Sequence, residues 1–168
     1  VQEDNIILAI PSNGIHSNGF SLVRSILKRN KINNKLKKDL LKPTKIYTRE
    51  VLRLIQENLI NAAAHITGGG LVENIIRSVP DHLSVNIDLS KIKKKKIFKW
   101  IKSKNISDNE MLKTFNCGVG FCLIINPKNL KRVKSCFSKE YKPYVIGKII
   151  NGSNKVKLND KINWYKKV

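Results

Sequence analysis

Residues 6–10 read Ile-Ile-Leu-Ala-Ile and stop at Pro11. A short apolar run closed by a proline predicts a buried strand. Residues 12–19 are polar and contain two glycines, so they form a loop. Phe20, Leu22, Val23, Ile26 and Leu27 then fall on one stripe, which predicts an amphipathic helix over 20–31 with Ser17 or Asn18 as N-cap. Residues 30–42 read as a loop with a short helical turn, ended by Pro43. A second apolar stripe (Val51, Leu52, Leu54, Ile55, Leu59, Ile60) predicts a helix over 48–61 capped by Thr48. Residues 62–66 read as a strand running into Thr67-Gly68-Gly69-Gly70, followed by a helix over 71–78. Alternation at Leu83, Val85 and Ile87 predicts a half-buried strand.

Helices follow over 97–104 and from Ser107, where Glu110 sits at the spacing of a capping box, to about 116. Residues 118–125 form an apolar strand. Asn126 and Pro127 begin a helix running to about 137, as N-cap and first residue. Residues 144–149 form a strand, and Asn151-Gly152 predicts a hairpin turn with 155–158 returning along it. Residues 159–168 are a Lys-rich tail with no predicted element. Strands and helices alternate, with one antiparallel hairpin near the end. The expected fold is α/β (α+β), a mixed β-sheet with helices packed on it.

The chain has 168 residues, which fits one domain over 1–168 with a core that needs neither disulfide nor metal. It opens on Val1, with a strand almost at once, and reads as a piece whose N-terminus lies upstream. No apolar run is long enough to span a membrane. The formal net charge is +21, which raises a basic nucleic-acid-binding module as an alternative function. The basic residues are mostly Lys; Arg, which reads phosphates and guanines bidentately, occurs only at 24, 29, 49, 53, 77 and 132. The Lys are spread along the chain together with Asn and Ile, and all three share AT-rich codons. That pattern argues against nucleic acid as a partner, and the Lys93–Lys96 run reads as a solvated loop and helix start. Cys117, Cys122 and Cys136 complete no zinc set and read as free thiols in a reducing, cytoplasmic setting.

Candidate chemistry sits where a strand feeds a glycine-bearing loop that opens a helix. Such a loop presents backbone N–H groups to an anion at the positive end of the helix dipole. The first loop holds Ser12, Asn13, Gly14, His16, Ser17, Asn18 and Gly19; a surface turn with self-capping Ser and Asn is an equally good account of it. No Gly-Lys-Ser/Thr follows, so it is not a Walker loop. The second holds Thr67, Gly68, Gly69 and Gly70, with His65 at the strand end and Glu73 and Asn74 one turn into the helix. Three consecutive glycines cost ordering entropy that close approach of a ligand would offset. His65 alone reads as a satisfied core histidine; beside the glycines it is a candidate for an acid/base role. Asn116, before Gly118 and Gly120, reads first as a helix C-cap followed by close packing.

Taken in order, these segments resemble a known family. Pro11-Ser12-Asn13-Gly14-Ile15-His16-Ser17-Asn18-Gly19-Phe20-Ser21-Leu22-Val23-Arg24 is similar to the Ser-Gly-x-His-Ser-Asn-Gly-Tyr-Ser-Leu-Val-Arg signature of aminoimidazole ribonucleotide synthetases, also called phosphoribosylformylglycinamidine cyclo-ligases. Leu41-Lys42-Pro43-Thr44-Lys45-Ile46-Tyr47, His65-Ile66-Thr67-Gly68-Gly69-Gly70 with Glu73-Asn74, and Met111-Leu112-Lys113-Thr114-Phe115-Asn116-Cys117-Gly118-Val119-Gly120 resemble three further segments of that family. Ile15 and Ile76 stand where many members have Pro, Asn13 where many have Ser, and Lys93–Lys96 replace a Trp/Pro-containing stretch.

The resemblance implies the C-terminal, substrate-side domain of a two-domain, homodimeric, cytoplasmic enzyme. Its absent N-terminal domain would supply most of the ATP and Mg2+ site and the dimer interface, so this piece alone would be inactive. The implied reaction is ATP-dependent ring closure in purine biosynthesis; another ATP-dependent synthetase of the same superfamily is the second alternative. It also implies that Ser12, Asn13, Gly14, His16, Ser17, Asn18 and Gly19, with Thr67, Gly68, Gly69, Gly70, Glu73, Asn74 and Asn116, bind substrate or its phosphate. His65 is the catalytic candidate, and no residue of this piece is assigned to a metal.

Overall fold

The computed structural model describes residues 1–165. Six strands form one mixed sheet: β1 (Ile6–Pro11), β2 (Ala62–His65), β3 (Leu83–Asp88), β4 (Val119–Ile125), β5 (Tyr144–Asn151) and β6 (Val156–Asn159), in the order β2-β4-β1-β5-β3-β6. Among the described residues seven α-helices accompany them: α1 (Phe20–Arg29), α2 (Asn34–Leu40), α3 (Thr48–Gln56), α4 (Gly70–Ile75), α5 (Lys96–Lys102), α6 (Asp108–Thr114) and α7 (Leu130–Ser135). The expected mixed α/β architecture is the observed one.

The unbroken apolar runs of β1 and β4 have a direct cause, because both faces of the central strands are covered. Ile7 and Ala9 of β1, with Cys122 and Ile124 of β4, pack under Val23, Ile26, Leu71, Ile75, Phe98 and Phe115. Leu8, Ile10, Leu123 and Ile125 face the other way, onto Val51, Leu54, Leu59, Val133 and Phe137. Successive side chains alternate faces, so a strand between two helical layers has no polar position to spare. Cys117 and Cys122 are buried in the first layer, and burial pushes both thiols above their ordinary range.

Several element ends differ from the sequence expectation. Helix α1 is not capped by Ser17 or Asn18: Gly19 stands at the N-cap with φ 73° and no side-chain cap. The ring of Phe115 lies where a Cβ on Gly19 would project, so the entry to α1 is set by close packing. Residues 34–40 form a full helix rather than a single turn, with Asn33 accepting from the Leu36 N–H at 2.9 Å. Thr48 is the first residue of α3 and not its cap. That helix ends early because Asn58 turns left-handed, at φ 51°, and Leu59 N–H donates to the Leu54 carbonyl. Only half of the capping box forms at α6: Ser107 Oγ accepts from Glu110 N–H at 3.1 Å, while the Glu110 carboxylate takes the Thr114 hydroxyl at 2.6 Å.

The predicted hairpin between residues 144–149 and 155–158 is overturned. Strand β6 pairs parallel with β3, because β5 already has β1 on one side and β3 on the other. The chain crosses the start of β3 at Gly152, where a Cβ would meet the Ser84 side chain. Asn154 N–H then donates to the Leu83 carbonyl. Residues 160–165 add no regular element, yet Ile162 and Trp164 are buried in the first layer. Trp164 Nε1 donates to Asp108 Oδ1 at 2.9 Å. The rest of the expected tail, 166–168, lies outside the described residues.

Candidate functional site

Strands β1 and β2 are both antiparallel to β4, which lies between them, so they run the same way and end at the same edge. Phe121 of β4 is opposite His65 on one side and Ile10 on the other. The loops after β1 and β2 therefore rise side by side, and the two glycine-bearing loops share one end of the sheet.

The 12–19 loop is braced from below. Ser12 N–H donates to the Gly118 carbonyl at 2.9 Å. Asn116, fully buried, donates to the Gly14 carbonyl at 3.0 Å and accepts from Gly118 N–H at 2.9 Å. From the side, Asn13 Nδ2 donates to the Pro43 carbonyl at 2.7 Å, and the Ser17 and Thr44 hydroxyls lie 3.4 Å apart. Held this way, the loop buries polar atoms that it does not satisfy. Ser12 Oγ, Asn13 Oδ1 and both ring nitrogens of His16 have no hydrogen-bond partner among the described residues. His16 is only 3% exposed and sits at φ 56°, a conformation that disfavours a side chain. Buried polar atoms are almost always paired, so four orphans on one loop make it the candidate for contact with a polar group from outside the chain. Burial, with the neighbouring His65 adding to it, lowers the His16 pKa to about 4, so the ring is neutral at pH 7 and offers one donor and one acceptor.

His65 is exposed, and its ring stacks on Phe121 at 5.6 Å between centroids. Its ring lies 6.4 Å from that of His16 and 6.1 Å from Tyr47. Burial also lowers its pKa. The rings of His65, Tyr47 and Phe121, though not that of His16, border a groove of about 440 Å³ lined also by Thr44, Lys45 and Val51.

The second loop is braced by its own helix. Asn74 donates to the carbonyls of Gly70 at 2.7 Å, Gly68 at 3.0 Å and Thr67 at 3.4 Å, and accepts from Thr67 Oγ1 at 3.1 Å. Gly70 has φ 65°, and a Cβ there would strike the Leu112 carbonyl. Gly69 faces the Glu73 carboxylate, and only Gly68 has open space above it. The sequence-derived residues thus divide by position. Ser12, Asn13, His16 and His65 carry free or exposed polar groups at one edge; Asn74, Asn116 and the Thr67 hydroxyl are occupied in holding the loops. Ser17 is exposed, Asn18 half-buried, and Glu73 exposed over Gly69.

Tyr47 and Phe121 were not singled out from sequence. Tyr47 lies in a segment with no strand-loop-helix signal, and Phe121 reads as one apolar position in a strand. Only the β2–β4 register reveals that Phe121 meets His65. Among the described residues no three His, Cys, Asp or Glu side chains converge as a metal site.

A mixed sheet covered by helices on both faces, with two glycine-bearing loops at one edge, defines an α/β domain whose candidate site lies at that edge. The family described as "AIR synthase related protein, C-terminal domain" matches residues 2–159, and the chain belongs to it. The phosphoribosylformylglycinamidine cyclo-ligase of Ligilactobacillus salivarius is 44% identical over 161 residues, covering 88% of this chain and 47% of that protein. The chain thus spans about half the length of the curated relatives it matches. Among solved structures, Escherichia coli HypE, a hydrogenase maturation protein, superposes at TM-score 0.60 with 13% identity, covering 94% of this chain and 46% of that one. Thermotoga maritima PurL complexed with AMPPCP superposes at 0.55 with 12% identity, covering 89% and 22%. These two likenesses concern the fold alone.

Proposed function

We propose that this chain is the C-terminal domain of a phosphoribosylformylglycinamidine cyclo-ligase and that its 12–19 loop holds the substrate's ribose phosphate. The observation that carries the reading is the set of unpartnered buried atoms on Ser12, Asn13 and His16. A phosphate accepts hydrogen bonds from the Ser12 hydroxyl and the His16 N–H, and a ribose hydroxyl donates to Asn13 Oδ1. The neutral His16 ring offers one N–H donor with no partner in the protein, which a phosphate oxygen can take. Gly19 and the ten-residue helix α1 add free N–H groups at the same edge.

His65 and the Gly68–Gly70 turn border the end of the substrate that reacts. ATP, when bound, supplies the phosphoryl group that makes the formyl oxygen a leaving group; the amidine nitrogen then attacks that carbon and phosphate departs. The task left to this chain is to hold the substrate in line and exclude water from it. In this reading the ATP–Mg2+ site is built mainly by the other half of the enzyme. Ile46 and Leu52 line the groove and are exposed, as is Ile55 of α3, and this apolar surface is suited to meet that half, through which the enzyme dimerises in the cytoplasm. The isolated chain is therefore inactive.

The test is His16→Ala with Asn18→Ala in the two-domain protein. The KM for formylglycinamidine ribonucleotide should rise at least tenfold, as expected when charge-assisted hydrogen bonds worth about 1.5–3 kcal/mol are removed. Unchanged kinetics would remove the loop from the substrate site. His65→Ala should instead lower kcat, and wild-type turnover in that variant would make His65 structural.

A further inference from the structure

We infer that Tyr47 is a positioning residue for the substrate-phosphate cradle, acting by clamping the start of the 12–19 loop through a slot that Gly120 keeps open. The inference rests on the proposed reading of that loop. Tyr47 is 4% exposed, and its hydroxyl donates to the Pro11 carbonyl at 3.0 Å. Pro11 is where β1 shifts register against β4, and its carbonyl immediately precedes Ser12. A hydrogen bond there fixes the direction in which the loop leaves the sheet.

The phenol is itself held on several sides. Its ring lies 5.3 Å from Phe121, 6.1 Å from His65 and 6.2 Å from His16. The Lys45 ammonium, 3.5 Å from the Glu50 carboxylate, stands 5.3 Å from the ring centre. Below it is Gly120, where a Cβ would strike the Tyr47 hydroxyl and come within 2.8 Å of Cζ and 2.9 Å of His16 Cε1. The missing side chain is therefore what lets the phenol and the imidazole sit together over β4. The side-chain links from Asn13 to Pro43 and from Ser17 to Thr44 are exposed; the Tyr47 bond is the more buried one. With Tyr47 clamped, the orphaned groups of Ser12 and His16 are aimed before ligand arrives, which lowers the ordering cost of binding.

The experiment uses the two-domain protein. Tyr47→Phe keeps the ring and deletes one hydroxyl. The expected result is a rise in KM for formylglycinamidine ribonucleotide of about threefold to tenfold, the range for one net hydrogen bond, with KM for ATP close to wild type and a melting temperature lower by only a few degrees. Gly120→Ala should raise the same KM by crowding the hydroxyl. In the double variant the methyl no longer competes with that hydroxyl, so adding Tyr47→Phe to Gly120→Ala should not raise KM further. Two effects that multiply independently would overturn the inference, as would a Tyr47→Phe protein with lowered melting temperature and unchanged KM. His16→Ala measured alongside separates the levels. If it raises KM and Tyr47→Phe does not, the clamp alone is refuted. If it leaves KM unchanged, the cradle reading falls and takes the clamp with it.

Discussion

Asn116 offers a quantitative test of how the site is held. Its amide joins two backbone positions far apart in sequence, donating to the Gly14 carbonyl at 3.0 Å and accepting from Gly118 N–H at 2.9 Å, and both bonds are buried. Asn116→Ala removes both partners at once and leaves a buried donor and a buried acceptor. Each lost hydrogen bond contributes about 1 kcal/mol net, and each orphaned group costs about 1–3 kcal/mol where water cannot reach it. Gly14 can relax with its loop, whereas Gly118 is fixed at φ 105° against the Lys93 carbonyl, so the larger penalty falls on Gly118. The total comes to roughly 2–4 kcal/mol, or a fall in melting temperature of about 5–15 °C for a chain of this size. Thermal unfolding of the variant by circular dichroism, beside wild type in the same buffer, measures it. A melting temperature within about two degrees of wild type would refute the account of Asn116 as an energetic brace and leave it available as a ligand group.

Two further predictions concern titration and reactivity. The folded state holds the His16 pKa down at about 4 while the unfolded chain titrates near 6.5. Between those values the unfolded chain binds more protons, so stability should fall as pH drops from about 6.5 to 4 and stay flat above 7, with up to about 3 kcal/mol at stake; His16→Asn should flatten that profile, and an unaltered slope would assign the acid sensitivity elsewhere. Cys117 and Cys122 are buried and Cys136 is partly exposed, so a brief alkylation of the native chain should add one label, at Cys136, by intact mass and three in urea. Rapid native labelling at Cys117 or Cys122 would contradict the packing described for β4 and the turn before it.

What the sequence determined by itself was whatever depends on neighbours along the chain. The apolar run at 6–10, the stripe beginning at Phe20 and the alternation at Leu83, Val85 and Ile87 report the period at which side chains must leave water, and that period is a property of the local backbone. The two glycine-bearing loops were legible for the same reason, since their polar and flexible residues are contiguous. Tertiary structure decided everything that depends on which edges and surfaces remain free. A turn at Asn151-Gly152 suits a hairpin locally, but β5 had no open edge, so β6 crossed over to β3. Trp164, itself buried, found a partner in Asp108 that nothing in a Lys-rich tail announces. Tyr47 and Phe121 joined the site because strand pairing brought β4 between β1 and β2, and Asn74 and Asn116 became braces because their amides met backbone groups within reach. Hydrogen bonding over such distances is set by where the sheet order places the partners, which no local period encodes.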